Sequence, residues 1–321
     1  MAISETDYIW MNGAFKPWHD CTIHVLTHGL HYGSAVFEGI RCYETPAGPY
    51  TFRMADHYKR MKHSGRVYGI DILYSTDVLM EASRALIRKN DLRSAYLRPI
   101  AYKGYGDIGV AAMGSPIDVA IAAFPWGAYL GEEGLTEGID VCVSSWNRVA
   151  PNTIPPGLKA AGNYLSSQLI SIEAKSRGFA EGIGLGRDGL VSEGAGENLF
   201  VVHNGIIHTP PAAASILSGI TRDTVVTLAR ELGFTVHEQP IPREMLYVAD
   251  EMFFTGTAAE VTPIRSVDRL DVGTGERPIT RAVQDAFFGL FDGRTEDRWG
   301  WLDPVGTPDQ EAAARTTAAA E

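Results

Sequence analysis

Lys159 stands in "PPGLKAAGNYLSSQLI", residues 155–170, followed by two alanines and a glycine, with no acidic residue within six positions on either side. Lysines ordinarily lie on solvated faces. One held among small apolar neighbours just before a helix loses solvation of its charged form, which makes its amine a usable nucleophile. Three other stretches complement it. "LSGITRDTVVTLARELG" puts Ser218, Gly219 and Thr221 at the start of an amphipathic helix, whose first backbone N–H groups and dipole suit a phosphate. "FFTGTAAE" offers a small-residue turn after a strand, with the Thr257 hydroxyl in it. "VSEGAGENLF" sets Glu193 at the end of a strand among glycines, leaving its carboxylate room to meet the edge of a flat ligand. Each stretch alone reads as an ordinary N-cap or turn. An amine nucleophile, an anion cradle and a carboxylate together meet the needs of pyridoxal phosphate: a Schiff-base lysine, a phosphate site, and an acid that keeps the pyridine nitrogen protonated.

Two strands add a substrate side. In "SAYLRPIAY" the two-residue period puts Tyr96 and Arg98 on one face, a phenol beside a guanidinium. In "SAVFEGIRCY" it aligns Phe37, Gly39 and Arg41, with Gly39 leaving space beside an aromatic wall. Other motifs are weaker. "GLGRDG", residues 184–189, matches the dinucleotide fingerprint of a nicotinamide-dependent dehydrogenase, but no helix follows it, and a hairpin turn at Arg187-Asp188-Gly189 explains its glycines. His24, His28 and His31 have helical spacing for zinc, yet Gly29 and Gly33 argue against a helix and no carboxylate lies among them, so packing roles are expected and no metal site is assigned.

The elements that must position these residues are legible in part. "DYIW", Asn12-Gly13 and "AFKPW" form a hairpin pattern, and "SAVFEGIRCY", "TPAG" and "PYTF" another. Residues 54–67 and 75–89 carry helical spacing, the second with Ser75 or Thr76 as N-cap, a stripe of Val78, Leu79, Ala82 and Leu86, and Asn90 near its stop. "SAYLRPIAY" and "DVAIAAF" read as strands. The Gly- and Pro-rich "PWGAYLGEEG" then breaks all periodicity and marks a domain boundary. Beyond it, strands "DVCVS", "GIGL", "LFVV", "GFTVHE" and "EMFFT" mix with helices over 163–177, 221–233 and 280–291. Strands and helices do not alternate strictly, so the class is α+β rather than a doubly wound sheet. The domains are expected at 1–127 and 137–302, joined by a loop over 128–136, with a low-complexity disordered tail over 303–321.

Composition narrows the partners. The 321 residues are 45% hydrophobic and 21% charged, enough for two cores. A net charge of −11 argues against nucleic acid or an anionic membrane surface and for a small diffusible ligand. Cys21, Cys42 and Cys142 are too few and too scattered for a disulfide framework, which suits a reducing cytoplasm. No targeting segment or membrane span is read.

The segments "HYGSAVFEGIR", "YLRP", "AAFPWGAYLG", "SSWNRVAPNTIPPGLKAAGNYL", "SEGAGENLF", "GITRD" and "FFTGTAAEVTPIRSVD" stand in consistent order from Tyr8 to Trp301. Together they resemble the bacterial branched-chain amino acid aminotransferases, pyridoxal phosphate enzymes of fold type IV. The resemblance implies a small N-terminal α/β sandwich domain, a larger C-terminal pseudo-barrel domain, and a homo-oligomer built on a dimer, a loop of one subunit closing its partner's active site. It implies that Lys159 binds the cofactor and moves the Cα proton, that Tyr164 bonds the pyridoxal 3′-oxygen, and that Glu193 pairs with the pyridine nitrogen. Arg60, Ile220, Thr221 and Thr257 would hold the phosphate, with Leu217 against the ring.

For the substrate, the resemblance gives Tyr96 with the backbone of Thr257 and Ala258 as the α-carboxylate site. Tyr32, Phe37, Trp126, Tyr129 and Tyr164 would line the apolar pocket beside Gly39, and Arg98 would receive the distal carboxylate of glutamate or 2-oxoglutarate. The implied activity is transfer of the amino group of L-leucine, L-isoleucine or L-valine to 2-oxoglutarate. D-amino acid and (R)-amine transaminases and aminodeoxychorismate lyases share the fold, but the set Tyr32, Phe37, Gly39, Arg41, Tyr96 and Arg98 argues against them. A ligand-binding module without turnover is a third reading. The segment 105–116, "YGDIGVAAMGSP", departs from the usual loop and bears on substrate range.

Overall fold

The computed structural model describes residues 3–127 and 130–306, apart from the Glu132 side chain. In chain order its strands are β1 Tyr8–Met11, β2 Ala14–Pro17, β3 Ala35–Phe37, β4 Ile40–Thr45, β5 Gly48–Phe52, β6 Ala95–Lys103 and β7 Ile117–Phe124. There follow β8 Ile139–Asn147, β9 Glu181–Leu185, β10 Val191–Gly194, β11 Asn198–His203 and β12 Ile206–Thr209. The last five are β13 Val236–Glu238, β14 Glu251–Gly256, β15 Glu260–Val267, β16 Leu270–Asp271 and β17 Leu302–Pro304. The helices are α1 His28–Tyr32, α2 Met54–Val67, α3 Thr76–Lys89, α4 Glu132–Glu137, α5 Tyr164–Ser176, α6 Ile220–Glu231 and α7 Pro278–Asp292. The chain divides into two compact units, one ending at Trp126 and resuming at Phe291, the other spanning Gly127–Leu290.

The first unit is a sheet in the order β17-β5-β4-β6-β7-β1-β2, with β3 also on β6. Asn12 and Gly13 join β1 to β2 with φ of 51° and 91°, the left-handed pair that a tight hairpin requires. Helices α2 and α3 bury Tyr58, Met61, Leu79, Leu86 and Ile87. Ser75 caps α3 by accepting from the Val78 N–H at 3.2 Å. The buried stripe of α3 differs from the sequence reading: Val78 is 47% exposed, and Ser83 and Ile87 take the inner face. The expected single strand of residues 34–43 is interrupted at Glu38–Gly39. Its register on β6 continues across the break, from Phe37↔Ile100 to Arg41↔Tyr96. The Glu38 N–H donates to the Pro99 carbonyl at 2.8 Å, but proline has no N–H to return, so the ladder lapses for two residues.

Two expected boundaries need correction. The tail does not begin at 303, and the large domain does not run to 302. Residues 291–306 belong to the first unit: Leu302, Asp303 and Pro304 pair with Phe52, Thr51 and Tyr50, and Phe291 stacks on Tyr43 at 3.6 Å. Asp303 also pairs with Arg84 at 3.2 Å. A three-residue strand ending in proline carries too little period to be read from sequence. Residues 307–321 of the expected tail lie outside the described residues. The expected loop over 128–136 holds helix α4, which ends where Gly138 takes φ +80°.

The second unit is a nine-stranded mixed sheet in the order β10-β9-β8-β15-β14-β11-β12-β13, with β16 on β15. The β8–β9, β8–β15 and β12–β13 pairs are parallel and the others antiparallel, a mixture consistent with an α+β class and not with a doubly wound sheet. Its core joins Val141, Val143, Ile183, Leu199, Phe254 and Ile264. Strands β12 and β15 escaped the sequence reading. Pro263 inside β15 obscures it, and β12 is only four residues long. "GLGRDG" is the β9–β10 hairpin: Gly186 and Leu190 bond across it and Gly189 takes φ +81°.

Candidate active site

In the second unit Lys159 lies in the stretch leading into α5, after the turn-rich "PPGL" and before a single 3-10 turn over Ala161–Asn163. That stretch is pinned by Asn163, whose buried amide donates to the carbonyls of Pro155 and Leu158, both at 2.8 Å. Half-buried Lys159 donates from Nζ to the Tyr164 hydroxyl at 2.7 Å. The five-residue spacing seen in the sequence thus becomes a direct contact.

Glu193 is 4% exposed, more enclosed than a turn carboxylate with room around it. Its Oε1 accepts from Arg148 Nη2 at 2.6 Å, and its Oε2 accepts from Asn198 Nδ2 at 3.1 Å and the Leu217 N–H at 2.9 Å. Burial raises the carboxyl above its ordinary range, against the pull of Arg148, the Leu217 N–H and Lys159. Three donors demand acceptor oxygens, so we assign the carboxylate form. A carboxylate offers about four acceptor positions, which leaves one for a ligand N–H.

Arg148 reaches Glu193 from the end of β8, with Nη1 on the Ser167 hydroxyl at 2.8 Å. Its stem passes Gly184, where an added Cβ would lie 2.9 Å from Arg148 Cγ. Asn198 donates also to the Leu217 carbonyl at 2.8 Å, so both sides of the Leu217 backbone are fixed by the Glu193 cluster. The Asn198 side-chain oxygen Oδ1 fills the place of a Cβ on Gly219, 2.0 Å from where that atom would stand. Gly219 is the N-cap of α6, and buried Ile220 and Thr221 are its first residues. Thr257 and Ala258 form the half-buried turn between β14 and β15. Sequence reasoning missed Arg148, Asn163 and Asn198. Only Gly184, a glycine inside a strand, signalled a close approach there.

Glu197 is also buried, with Oε2 accepting from the Gly196 N–H at 3.0 Å. Burial, reinforced by the charge of Glu181, pushes its carboxyl up to about 8. The shift favours the protonated form near neutrality.

In the first unit, Tyr96, Arg98 and Phe37 share the expected face. The Arg98 guanidinium lies 5.0 Å from the Phe37 ring centroid and 5.2 Å from that of Tyr96, and it donates to the Tyr96 hydroxyl at 3.5 Å. Gly39 is required here, since an added Cβ would fall 1.8 Å from the Tyr96 hydroxyl. Trp126 stacks on Tyr96 at 4.8 Å. Arg60, on α2, grips Glu38 through Nε and Nη2, each at 2.7 Å, and His57 Nδ1 meets the same carboxylate at 2.7 Å. Burial pushes Glu38 up, but Arg60 and His57 outweigh it and hold the carboxyl well below the usual range.

Tyr32 stays apart from this group. It is 48% exposed, stacks on His28 at 4.5 Å and donates to the Ile108 carbonyl at 3.2 Å, so within one chain it belongs to the 105–116 loop. Tyr129 lies outside the described residues. His28 and His31 form a five-residue helix despite Gly29. Their rings bond Ser34, Gly109 and Val25, and His24 accepts from the Leu26 N–H.

Comparison with known proteins agrees with this geometry. Residues 35–267 match the family described as amino-transferase class IV. The Salmonella typhimurium branched-chain-amino-acid aminotransferase is 55% identical over 309 residues, covering 95% of this chain and 99% of that protein. The crystal structure of the Escherichia coli branched-chain amino acid aminotransferase superposes with a TM-score of 0.93 at 56% identity, over 94% of this chain and 100% of that one. The branched-chain amino acid aminotransferase from Thermobaculum terrenum, in its PLP-bound holo-form, gives 0.88 at 37% identity, over 94% and 99%. The chain belongs to the class IV aminotransferases and, within them, to the branched-chain-amino-acid aminotransferases of fold type IV.

Proposed function

We propose the following residue roles for pyridoxal-phosphate-dependent transamination of L-leucine, L-isoleucine and L-valine with 2-oxoglutarate, yielding branched-chain 2-keto acids and L-glutamate. The observation that carries the assignment is the Lys159–Tyr164 contact at 2.7 Å in the same unit as the buried Glu193 carboxylate. An amine touching a phenol fits a cofactor whose aldehyde and ring hydroxyl are neighbours, and the spare acceptor position on Glu193 fits its pyridine N–H. The α6 N-terminus, with Ile220 and Thr221, fits its phosphate together with Thr257 and Arg60, and Leu217 covers the ring. When bound, the cofactor supplies an electron sink for charge developing at the substrate Cα.

The chain's own residues do the rest. Lys159 Nζ anchors the cofactor and then takes the proton from the substrate Cα, and the Tyr164 hydroxyl steadies that amine. Glu193, held as carboxylate by Arg148, keeps a proton on its ligand's ring nitrogen. Tyr96, with the Thr257 and Ala258 backbone, receives the α-carboxylate. Phe37, Trp126, Tyr129, Tyr164 and Tyr32, whose hydroxyl is tied to the 105–116 segment, take the apolar side chain beside Gly39, and Arg98 takes the distal carboxylate of the acceptor. Because Arg98 is exposed at the rim, an empty position there does not bury an unpaired charge when leucine is bound.

We place the reaction in the cytoplasm, in a homo-oligomer built on a dimer. Leu30, Tyr105, Val110 and Met113 are 61%, 58%, 81% and 87% exposed around the 105–116 segment, an apolar surface suited to a second copy. Among the described residues no helix is long and apolar enough to cross a membrane. A panel of L- and D-amino donors with 2-oxoglutarate as acceptor tests the activity. L-Leucine, L-isoleucine and L-valine should lead it, and a preference for D-donors would refute the assignment.

A further inference from the structure

Arg277, just before α7 in the second unit, is 7% exposed, and among the described residues its side chain makes no hydrogen bond or ion pair. Its Nε is enclosed with no acceptor. Arg277 lines a hollow of about 380 Å³. Arg281, one turn along α7 and exposed, lines the same hollow and likewise has no ion-pair partner among the described residues. The third arginine there, Arg265, is already neutralised by Asp140 at 2.6 Å.

The surroundings do not answer the Arg277 charge. Glu251 spends both oxygens on the N-terminus of α7, accepting from the Ile279 and Thr280 N–H groups at 3.0 and 2.7 Å. Glu137 and Asp271 also line the hollow, but both are exposed and outside ion-pair range of both arginines. Burial, with Arg281 and Arg265 nearby, works against the charged form of Arg277. An enclosed guanidinium without a counter-ion opposes folding, whereas an anion entering the hollow would meet two guanidinium groups. The small loop Gly273-Thr274-Gly275 is also part of the lining, and in it Gly273 is obligatory: an added Cβ would lie 2.0 Å from the Asp250 carbonyl oxygen.

We propose that this hollow is a second ligand site, taking a compact dianion, phosphate or a short dicarboxylate, on Arg277 and Arg281. It is distinct from the cofactor residues. Arg265 lies toward the end of β15 away from the Thr257 turn, about 16 Å of strand from Glu260.

Calorimetric titration of the cofactor-loaded enzyme at constant ionic strength, with inorganic phosphate and separately with succinate, tests the proposal. At least one should bind with a Kd of about 1 mM or tighter. Binding of phosphate alone identifies a phosphate site, and binding of succinate alone a dicarboxylate site. Arg281→Gln, at an exposed position, should weaken that binding about tenfold or more, and Glu137→Gln should strengthen it. Arg277→Met should abolish it, and Arg281→Gln decides alone if that variant does not fold. Absence of binding by both anions, or binding unchanged in Arg281→Gln, would overturn the proposal.

Discussion

Gly184 stands directly opposite Glu193 in the β9–β10 ladder, and the Arg148 stem passes through the space its missing side chain leaves. The glycine, the arginine and the acid therefore act as one unit. Gly184→Ala would put a Cβ 2.9 Å from both Arg148 Cγ and Ile170 Cδ1, inside a packed core. Overpacking of this kind costs about 1–3 kcal/mol. The variant should unfold at lower temperature and bind pyridoxal phosphate more weakly than the parent. Unchanged melting and cofactor affinity would mean that Arg148 has another route to Glu193.

Lys159→Ala should leave a folded protein that still takes up the cofactor noncovalently, without the visible absorbance of the lysine-bound form and without measurable turnover. Transamination within about tenfold of the parent would make Lys159 a structural residue.

Glu197 predicts a pH effect on stability. Its folded pKa of about 8 stands above the unfolded value of an ordinary glutamate, so the folded state binds the extra proton between them. The corresponding stability is fully present below the unfolded pKa and is lost as pH rises through 8. Glu197→Gln removes this dependence. Denaturant midpoints should fall from pH 5 to pH 9 more steeply in the parent than in the variant, and parallel profiles would place the proton elsewhere.

Arg98→Met should injure the two half-reactions unequally. Losing a charge-assisted bond at an exposed rim is expected to cost about 1.5–3 kcal/mol with glutamate or 2-oxoglutarate and much less with leucine. Single-turnover rates for each half-reaction decide it. Equal losses would make Arg98 a support for Tyr96 and Phe37 rather than a carboxylate partner.

Local signals made much of this legible in sequence. The helical spacing of residues 54–67 returns as α2 without a shift in either boundary, and Asn12-Gly13 sets its hairpin unaided. Lys159 and Glu193 could be singled out because their neighbours are small and uncharged. Arg148 could not: nothing in "SSWNRVAPNT" marks its arginine as buried, and its partner is 45 residues away. The same holds for Glu38 beneath Arg60, whose burial depends on a strand and a helix meeting. Strand β17 is short, and its partner Thr51 lies 252 residues earlier. Pairings at that distance leave no periodic trace in either segment.

The pairing of β17 with β5 also constrains the order in which the chain can fold during synthesis. Residues 127–290 form an uninterrupted insertion, so the second unit has all its strands as soon as that stretch has left the ribosome. The first unit does not. Until Leu302–Pro304 emerge, β5 is a bare sheet edge, and unpaired edges recruit other chains. The nascent protein must therefore hold that edge open through the synthesis of the whole inserted unit, and a ribosome stalled near residue 300 would release a chain prone to aggregate through β5.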